Sequence, residues 1–308
     1  MQPRHYNKYS LYLTKKFGAP VARIPINAGF SCPNRDGTKS LDGCSFCDNR
    51  SFSPVAKTVV SPLEHLTASM ARLKSRYTRF IAYLQPFSNT YGSVAQLRSV
   101  YEPLVSVPGV VGLSVGTRPD CLGPEIVDYL GDLASRTFVS VEIGLQSSHD
   151  ATLSLVNRGH SYDDFVRAVT RVAAQGIDVV AHIILGLPGE NADMMFETAS
   201  RLAALPVTGV KIHQLMIIKG TEMEKMVGEG KAETLQLSGY ARLLCGFLER
   251  LRPDQHIHRI MADSSEKNGL IAPLWSVDKN DSLRYLQKFM EEHGIVQGSG
   301  YKNVAIAV

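Results

Sequence analysis

Six short apolar runs, each followed by an amphipathic stretch, recur along this chain of 308 residues. The runs lie at 22–27, 80–84, 110–115, 138–143, 179–185 and 210–216. They are rich in Val and Ile and nearly free of charge, as strands covered on both faces are. The stretches between them carry helix signals. Ser61-Pro62 is a cap followed by a proline suited to a first turn, and Leu63, Leu66, Met70, Leu73 and Tyr77 then share a face. Pro124 opens another helix, Ser161 with Asp164 forms a capping-box pattern, and Asn191 can cap the next. Strand then helix, repeated, requires parallel strands joined by right-handed crossovers. The expected fold is α/β, a partial (β/α)6 barrel over residues 1–222. Residues 223–308 are expected as a small C-terminal extension packing on it, with a helix near 235–251, an apolar run near 257–261 and a terminal helix near 281–293. No repeat of fixed period is present.

Composition narrows the function classes. A mid-chain stretch without Asp, Glu, Lys or Arg, 103–117, is broken by Pro108 and three glycines and falls short of the ~18 apolar residues of a membrane span. The N-terminus lacks the apolar core of a secretory signal, so a cytosolic protein without membrane contact is expected. Charge is uneven. Residues 1–101 hold 14 Lys/Arg and 4 Asp/Glu, whereas the remainder holds 19 and 25. Such a basic third suits an anionic ligand or nucleic acid, and it includes an N-terminal series of Arg4, Tyr6, Lys8, Tyr9 and Tyr12 in which rings sit among charges. The competing reading has Tyr6, Tyr9 and Leu13 as a packing stripe, with Arg72, Lys74, Arg76 and Arg79 on a solvated helix face.

Five cysteines, three of them crowded, do not suit a disulfide framework. Cys32, Cys44 and Cys47 follow the first strand and so lie at the C-terminal face, where barrel enzymes place their chemistry. Three thiolates suit a cubane iron–sulfur cluster that leaves one iron open. Structural zinc, which wants a fourth ligand, and three incidental buried thiols are the alternatives.

The spacing C-x11-C-x2-C with an aromatic residue before the last cysteine, together with GFSCPNRDGT, GTRPDC, GLQS, NRGH and GLPGE, resembles the radical S-adenosylmethionine (SAM) superfamily. Within it the motifs resemble the elongator-like branch and its small bacterial YhcC/YtqA-type members, across nearly the whole chain. The resemblance implies a [4Fe–4S] cluster on Cys32, Cys44 and Cys47, SAM at the open iron, and an electron donor such as a flavodoxin or ferredoxin. It implies Phe46 against the adenine, Gln85-Pro86 main-chain carbonyls toward the SAM amino group, and Gln146 on the ribose side. It also implies the Arg158 guanidinium on the SAM carboxylate.

Glu142 is a charge in an apolar strand, costly unless paired, and by resemblance its partner is the SAM ammonium. Arg118 is either a brace to Asp120 or Glu142 or a ligand contact. His182 stands where relatives often carry an acid for the ribose hydroxyls; a satisfied core histidine reads the same. Gly186, in the Gly-Leu-Pro-Gly turn, allows close main-chain approach to the adenine. His213, with Lys211 on the same face, points at the mouth. Cys121 is a candidate hydrogen-atom donor or substrate contact, with an inert thiol as its alternative; Cys245 is expected in the core. The elongator relative modifies the wobble uridine of tRNA with an added acetyltransferase domain, which this chain is expected to lack. The expected substrate is therefore tRNA, by remodelling of a carboxymethylaminomethyl group already on that uridine. A small-molecule substrate, a non-catalytic zinc-stabilised RNA-binding module and a cofactor-independent barrel lyase are the alternatives.

Overall fold

A computed structural model describes residues 5–48, 51, 53, 55, 56 and 60–302. Arg4 of the N-terminal series lies outside them. The six expected strands are β1 (Val21–Ile26), β2 (Arg79–Leu84), β3 (Val110–Thr117), β4 (Phe138–Gln146), β5 (Asp178–Leu185) and β6 (Gly209–Gln214). Each pairs in parallel with the next in chain order. The sheet continues one strand further. After a two-residue β7 (Ile217–Ile218), the segment β8 (His256–Arg259) pairs with β6, giving seven parallel strands in the curled α/β half-barrel. The apolar run expected near 257–261 overlaps β8, but the sequence reading places it in the extension rather than the sheet; of the polar residues of β8, His258 and Arg259 face the interior of the curl, while His256 stacks on Tyr12.

The capping signals hold at atomic detail. Ser61 and Glu64 close a capping box on α2 (Pro62–Leu73), and Ser93 and Gln96 do the same for α3 (Val94–Val105). Pro124 opens α4 (Pro124–Ala134), which is followed by α5 (Asp150–Leu155). Ser161 and Asp164 cap α6 (Tyr162–Ala174), and Asn191 caps α7 (Ala192–Ala203). The helices cover the outer face of the sheet, where Leu97, Tyr101 and Leu104 of α3 and Phe165, Val169 and Val172 of α6 are fully enclosed. Beyond β7 come α8 (Glu222–Gly228), α9 (Leu237–Arg250), β9 (Leu270–Ala272) and α10 (Lys279–Glu292). No described helix is long and apolar enough to cross a membrane.

The first helix, α1 (Tyr9–Phe17), lies against both β1 and β8, the two unpaired edges of the curl, and Lys8 makes a parallel bridge to Ile257. Tyr9 and Leu13 are buried there with Ile81. Tyr9 stacks on His258 at 3.5 Å between ring centres, and Tyr12 stacks on His256 at 3.8 Å. Tyr12 also donates to the Asp178 carboxylate at 2.8 Å. The reading of these rings as a nucleic-acid stacking surface is therefore corrected: they plug the N-terminal end of the barrel. Arg72, Lys74, Arg76 and Arg79 are exposed between the end of α2 and the start of β2, at that same N-terminal end. The basic cluster thus faces away from the C-terminal mouth.

Candidate active site

The loop after β1 is held over the mouth by main-chain bonds. Arg35 N donates to Cys32 O at 2.8 Å, Cys47 N to Cys44 O at 2.9 Å, and the Arg35 guanidinium to Cys47 O. The loop is stapled to the segment after α5: Ser45 N donates to Val156 O at 3.0 Å, Asn157 Nδ2 to Gly43 O at 2.7 Å, and Asn34 Nδ2 to Asn157 O at 2.6 Å. Cys32, Cys44 and Cys47 consequently border one cavity of about 200 Å³. Burial first, then the neighbouring Cys44, pushes the free Cys47 thiol up to about 11, with Arg35 opposing. Among the described residues no three His, Cys, Asp or Glu side chains meet tightly enough to share a single ion. The thiols of a four-iron cluster ligate separate irons and need not meet that tightly.

Phe46, Gln85, Arg118, Glu142, Gln146, Arg158, His182 and His213 border the same cavity. Pro86, Gly186 and Cys121 do not. Pro86 is buried behind its neighbour, its carbonyl accepting from Asn89 Nδ2 at 3.0 Å. Gly186 has φ +86°, and a Cβ there would come within 2.9 Å of Leu235, so the extension rather than open space fixes its identity. Cys121 sits in a one-turn helix behind Arg118, its thiol pushed by burial up to about 12. Cys245 is in the α9 core as expected.

Arg118 braces Asp120, donating from Nε and Nη2 at 2.9 and 3.1 Å, while Lys39 reaches the same carboxylate at 2.8 Å. Arg158 donates to Gly144 O at 2.7 Å and lies 3.4 Å from Cys44 Sγ, which ties the exit of β4 to the cysteine loop. A Cβ on Gly144 would stand 2.5 Å from that guanidinium, so any larger residue there would displace it. Backbone strain gathers here as well. Among the described residues the non-glycine positions with left-handed φ are Phe87 (64°), Gln146 (79°) and Asn157 (50°). Two line the cavity and the third holds the loop. Such strain persists only where surrounding structure imposes it, and it concentrates at functional sites.

Below the mouth is a charged floor that the sequence only partly reveals. Glu142 is fully enclosed and receives Tyr83 Oη at 2.7 Å, Lys211 Nζ at 3.0 Å, the Arg23 guanidinium, and His182 Nε2 at 2.8 Å. His258 Nδ1 lies 3.6 Å away. Both carboxylate oxygens are thus met by protein donors, three on Oε2 and the Arg23 guanidinium on Oε1. Arg23 and Lys211 hold the Glu142 carboxyl well below its usual range against the opposing effect of burial. Burial drives His182 to about 4 and Lys211 to about 7, Glu142 opposing both. His213 is likewise kept neutral by burial and then Arg259, whose guanidinium is 2.5 Å away. Arg23, Tyr83, His258 and Arg259 escaped the sequence reading. Arg23 had a usable signal, since a charge inside an apolar strand implies a partner just as Glu142 does.

A second cavity of about 810 Å³ adjoins the first through Ser53, Tyr83, Gln85, Lys211 and Arg259. It has Arg23 and Pro25 of β1 on one side and His258 and Arg259 of β8 on the other, so it is the seam where the curled sheet does not close.

A parallel half-barrel with three thiols over its C-terminal mouth is the architecture of enzymes that pair an iron–sulfur cluster with SAM. Consistent with this, the profile described as "Radical SAM superfamily" matches residues 29–202, and that of the "Radical_SAM C-terminal domain" matches 207–292. The chain belongs to the radical SAM superfamily, in its elongator-like branch. It is 39% identical to YtqA of Bacillus subtilis (strain 168) over 98% of this chain and 94% of that protein. It is 26% identical to a tRNA uridine(34) acetyltransferase of Methanocaldococcus jannaschii, over 60% of this chain but only 34% of that one. The solved structure of the archaeal Methanocaldococcus infernus Elp3 with an N-terminal deletion superposes with a TM-score of 0.66 at 16% identity. That match covers 90% of this chain and 64% of the other, and at this identity it shows the fold.

Radical SAM enzymes use a [4Fe–4S] cluster and SAM, and the residues present fit both. Three soft thiolates border one cavity, and beside them Asn34 Oδ1, Arg118 Nη1 and Arg158 Nε are buried without a hydrogen-bond partner among the described residues.

Proposed function

We propose that this radical SAM enzyme remodels a side chain on the wobble uridine of tRNA, with a small flavodoxin- or ferredoxin-type protein as electron donor. The observation that carries the reading is the seam, a cavity of about 810 Å³ that runs from the barrel's open side to the cysteine-lined mouth and is large enough for a nucleobase with its substituent. The likeness to a protein named tRNA uridine(34) acetyltransferase supports the substrate class. When bound, the cluster and SAM supply a carbon-centred radical that abstracts a substrate hydrogen.

This chain's own residues do the rest. Cys32, Cys44 and Cys47 would hold the cluster, and Arg158, with Nε free beside Cys44, would offer a donor to the SAM carboxylate. The Gln85 main chain takes the ammonium, Phe46 packs against the adenine, and Gln146 and His213 hold polar edges at the cavity wall. Glu142 pairs with Arg23 and Lys211 and keeps Tyr83, His182 and Lys211 in fixed orientation. The plug of α1 seals the barrel's far end against water, which protects a reactive intermediate.

A small anionic substrate is the second reading, favoured by one observation: the exposed basic cluster at Arg72, Lys74, Arg76 and Arg79 lies at the end remote from the mouth. Comparing the nucleosides of total tRNA from cells with and without the gene separates the two. The tRNA reading expects an altered wobble-uridine profile, and an unchanged profile contradicts it.

A further inference from the structure

The floor between the two cavities carries more positive charge than the protein neutralises. Arg23, Lys211 and Arg259 converge around a single carboxylate, Glu142. Arg23 and Lys211 pair with it directly. Arg259 has only the neutral His213 ring as a hydrogen-bond partner among the described residues, and its Nε is buried without one. The nearby Asp263 pairs directly with Lys279 at 2.7 Å and acts on Arg259 only through space. Lys211 and Arg259 are also direct register partners across β6 and β8, which sets two like charges side by side. Like charges so placed repel, and a desolvated guanidinium without a direct ion-pair partner is costly, so the fold keeps this pair against its own stability. Both residues border the mouth cavity and the seam cavity.

We infer that Arg259 and Lys211 form a receptor for an oxyanion carried by the substrate, a carboxylate or phosphate that arrives through the seam and seats between them. This deepens the proposed function by naming the chemistry the substrate presents, and it rests on the seam being the substrate's passage. The planar fork of Arg259 suits a two-oxygen anion, and Lys211 adds a point charge whose ammonium is steered by Tyr83 Oη at 2.6 Å. The anion would sit where Glu142, Arg23, His182, His213 and His258 already fix the surrounding hydrogen bonds.

The test is calorimetric titration of the cluster-loaded enzyme under anoxic conditions, using uridine, uridine-5-acetic acid, succinate and inorganic phosphate. Wild type, Arg259→Gln and Lys211→Met are compared. We expect at least one oxyanion probe to bind the wild type and to lose about tenfold or more in affinity in each variant. Binding of S-adenosylhomocysteine should stay unchanged. Tighter binding of uridine-5-acetic acid than of uridine, abolished by Arg259→Gln, supports both the receptor and the nucleoside substrate. Succinate or phosphate binding that depends on Arg259, without that nucleoside preference, supports the receptor and counts against the nucleoside. Oxyanion affinity that is absent, or unchanged in both variants, overturns the inference. So does a loss confined to S-adenosylhomocysteine, which would assign Arg259 to the cofactor. Lys211→Met keeps the question answerable should Arg259→Gln not fold.

Discussion

With Arg23, Tyr83, His182 and Lys211 all directed at it, the Glu142 carboxylate compensates two buried cations, and Glu142→Gln strands them. Breaking a buried pair by removing one partner costs about 3–5 kcal/mol, and urea unfolding should read a loss of that order; a loss below about 1 kcal/mol would mean that the floor is not paired as described. Lys211 gives a pH signature. Its folded value of about 7 lies below the ordinary lysine value of ~10.4. Between the two, the unfolded chain binds more protons than the folded one, so this group makes stability rise with pH across that window. Lys211→Met should flatten that rise relative to wild type, and parallel stability–pH curves would contradict the assignment. Glu142 and His182 were legible because a polar group in an apolar strand needs a partner. The partners were not, since Arg23 reaches Glu142 across 119 residues of chain and nothing local in β1 or β8 says which cations converge.

Among the elements, α1 shows how one sequence signal can carry two readings, of which the fold takes the packing one for Tyr9 and Leu13. Tyrosines among lysines suit a stacking surface for single-stranded RNA, yet Tyr9 and Leu13 repeat at the spacing of one helical face and close the barrel. Tyr9→Ala should cost about 3–5 kcal/mol in unfolding free energy, the usual range for truncating a buried aromatic ring, without weakening RNA binding. A drop in RNA affinity with unchanged stability would restore the stacking role. The six alternating strands and most helix starts were legible because burial on both faces and capping chemistry leave local patterns. Strand β8 was legible only as an apolar run in the extension, not as a seventh strand of the sheet, since His258 and Arg259 serve the interior floor, and α3 begins at a Ser93–Gln96 box that no strong apolar pattern announces.

Across the whole molecule, charge and chemistry occupy opposite ends. The basic excess of the first third, read from the sequence as one footprint, divides in the fold: Arg23 and Arg35 serve the barrel interior and the cysteine loop, while Arg72, Lys74, Arg76 and Arg79 face solvent at the far end. Reversing Arg72, Lys74 and Arg76 to Glu should leave the tRNA nucleoside profile as in wild type, whereas Cys44→Ala should reproduce the profile of cells lacking the gene. A changed profile in the charge-reversed cells would make that end part of the substrate path. The central claim is that Cys32, Cys44 and Cys47 hold a [4Fe–4S] cluster able to cleave SAM. It is tested most directly by anoxic purification, iron and sulfide analysis, and chromatography for 5′-deoxyadenosine after adding SAM and a reductant. The account predicts a four-iron complement and 5′-deoxyadenosine from the wild type, with both lost in Cys44→Ala. A colourless protein holding stoichiometric zinc and forming no 5′-deoxyadenosine would contradict it.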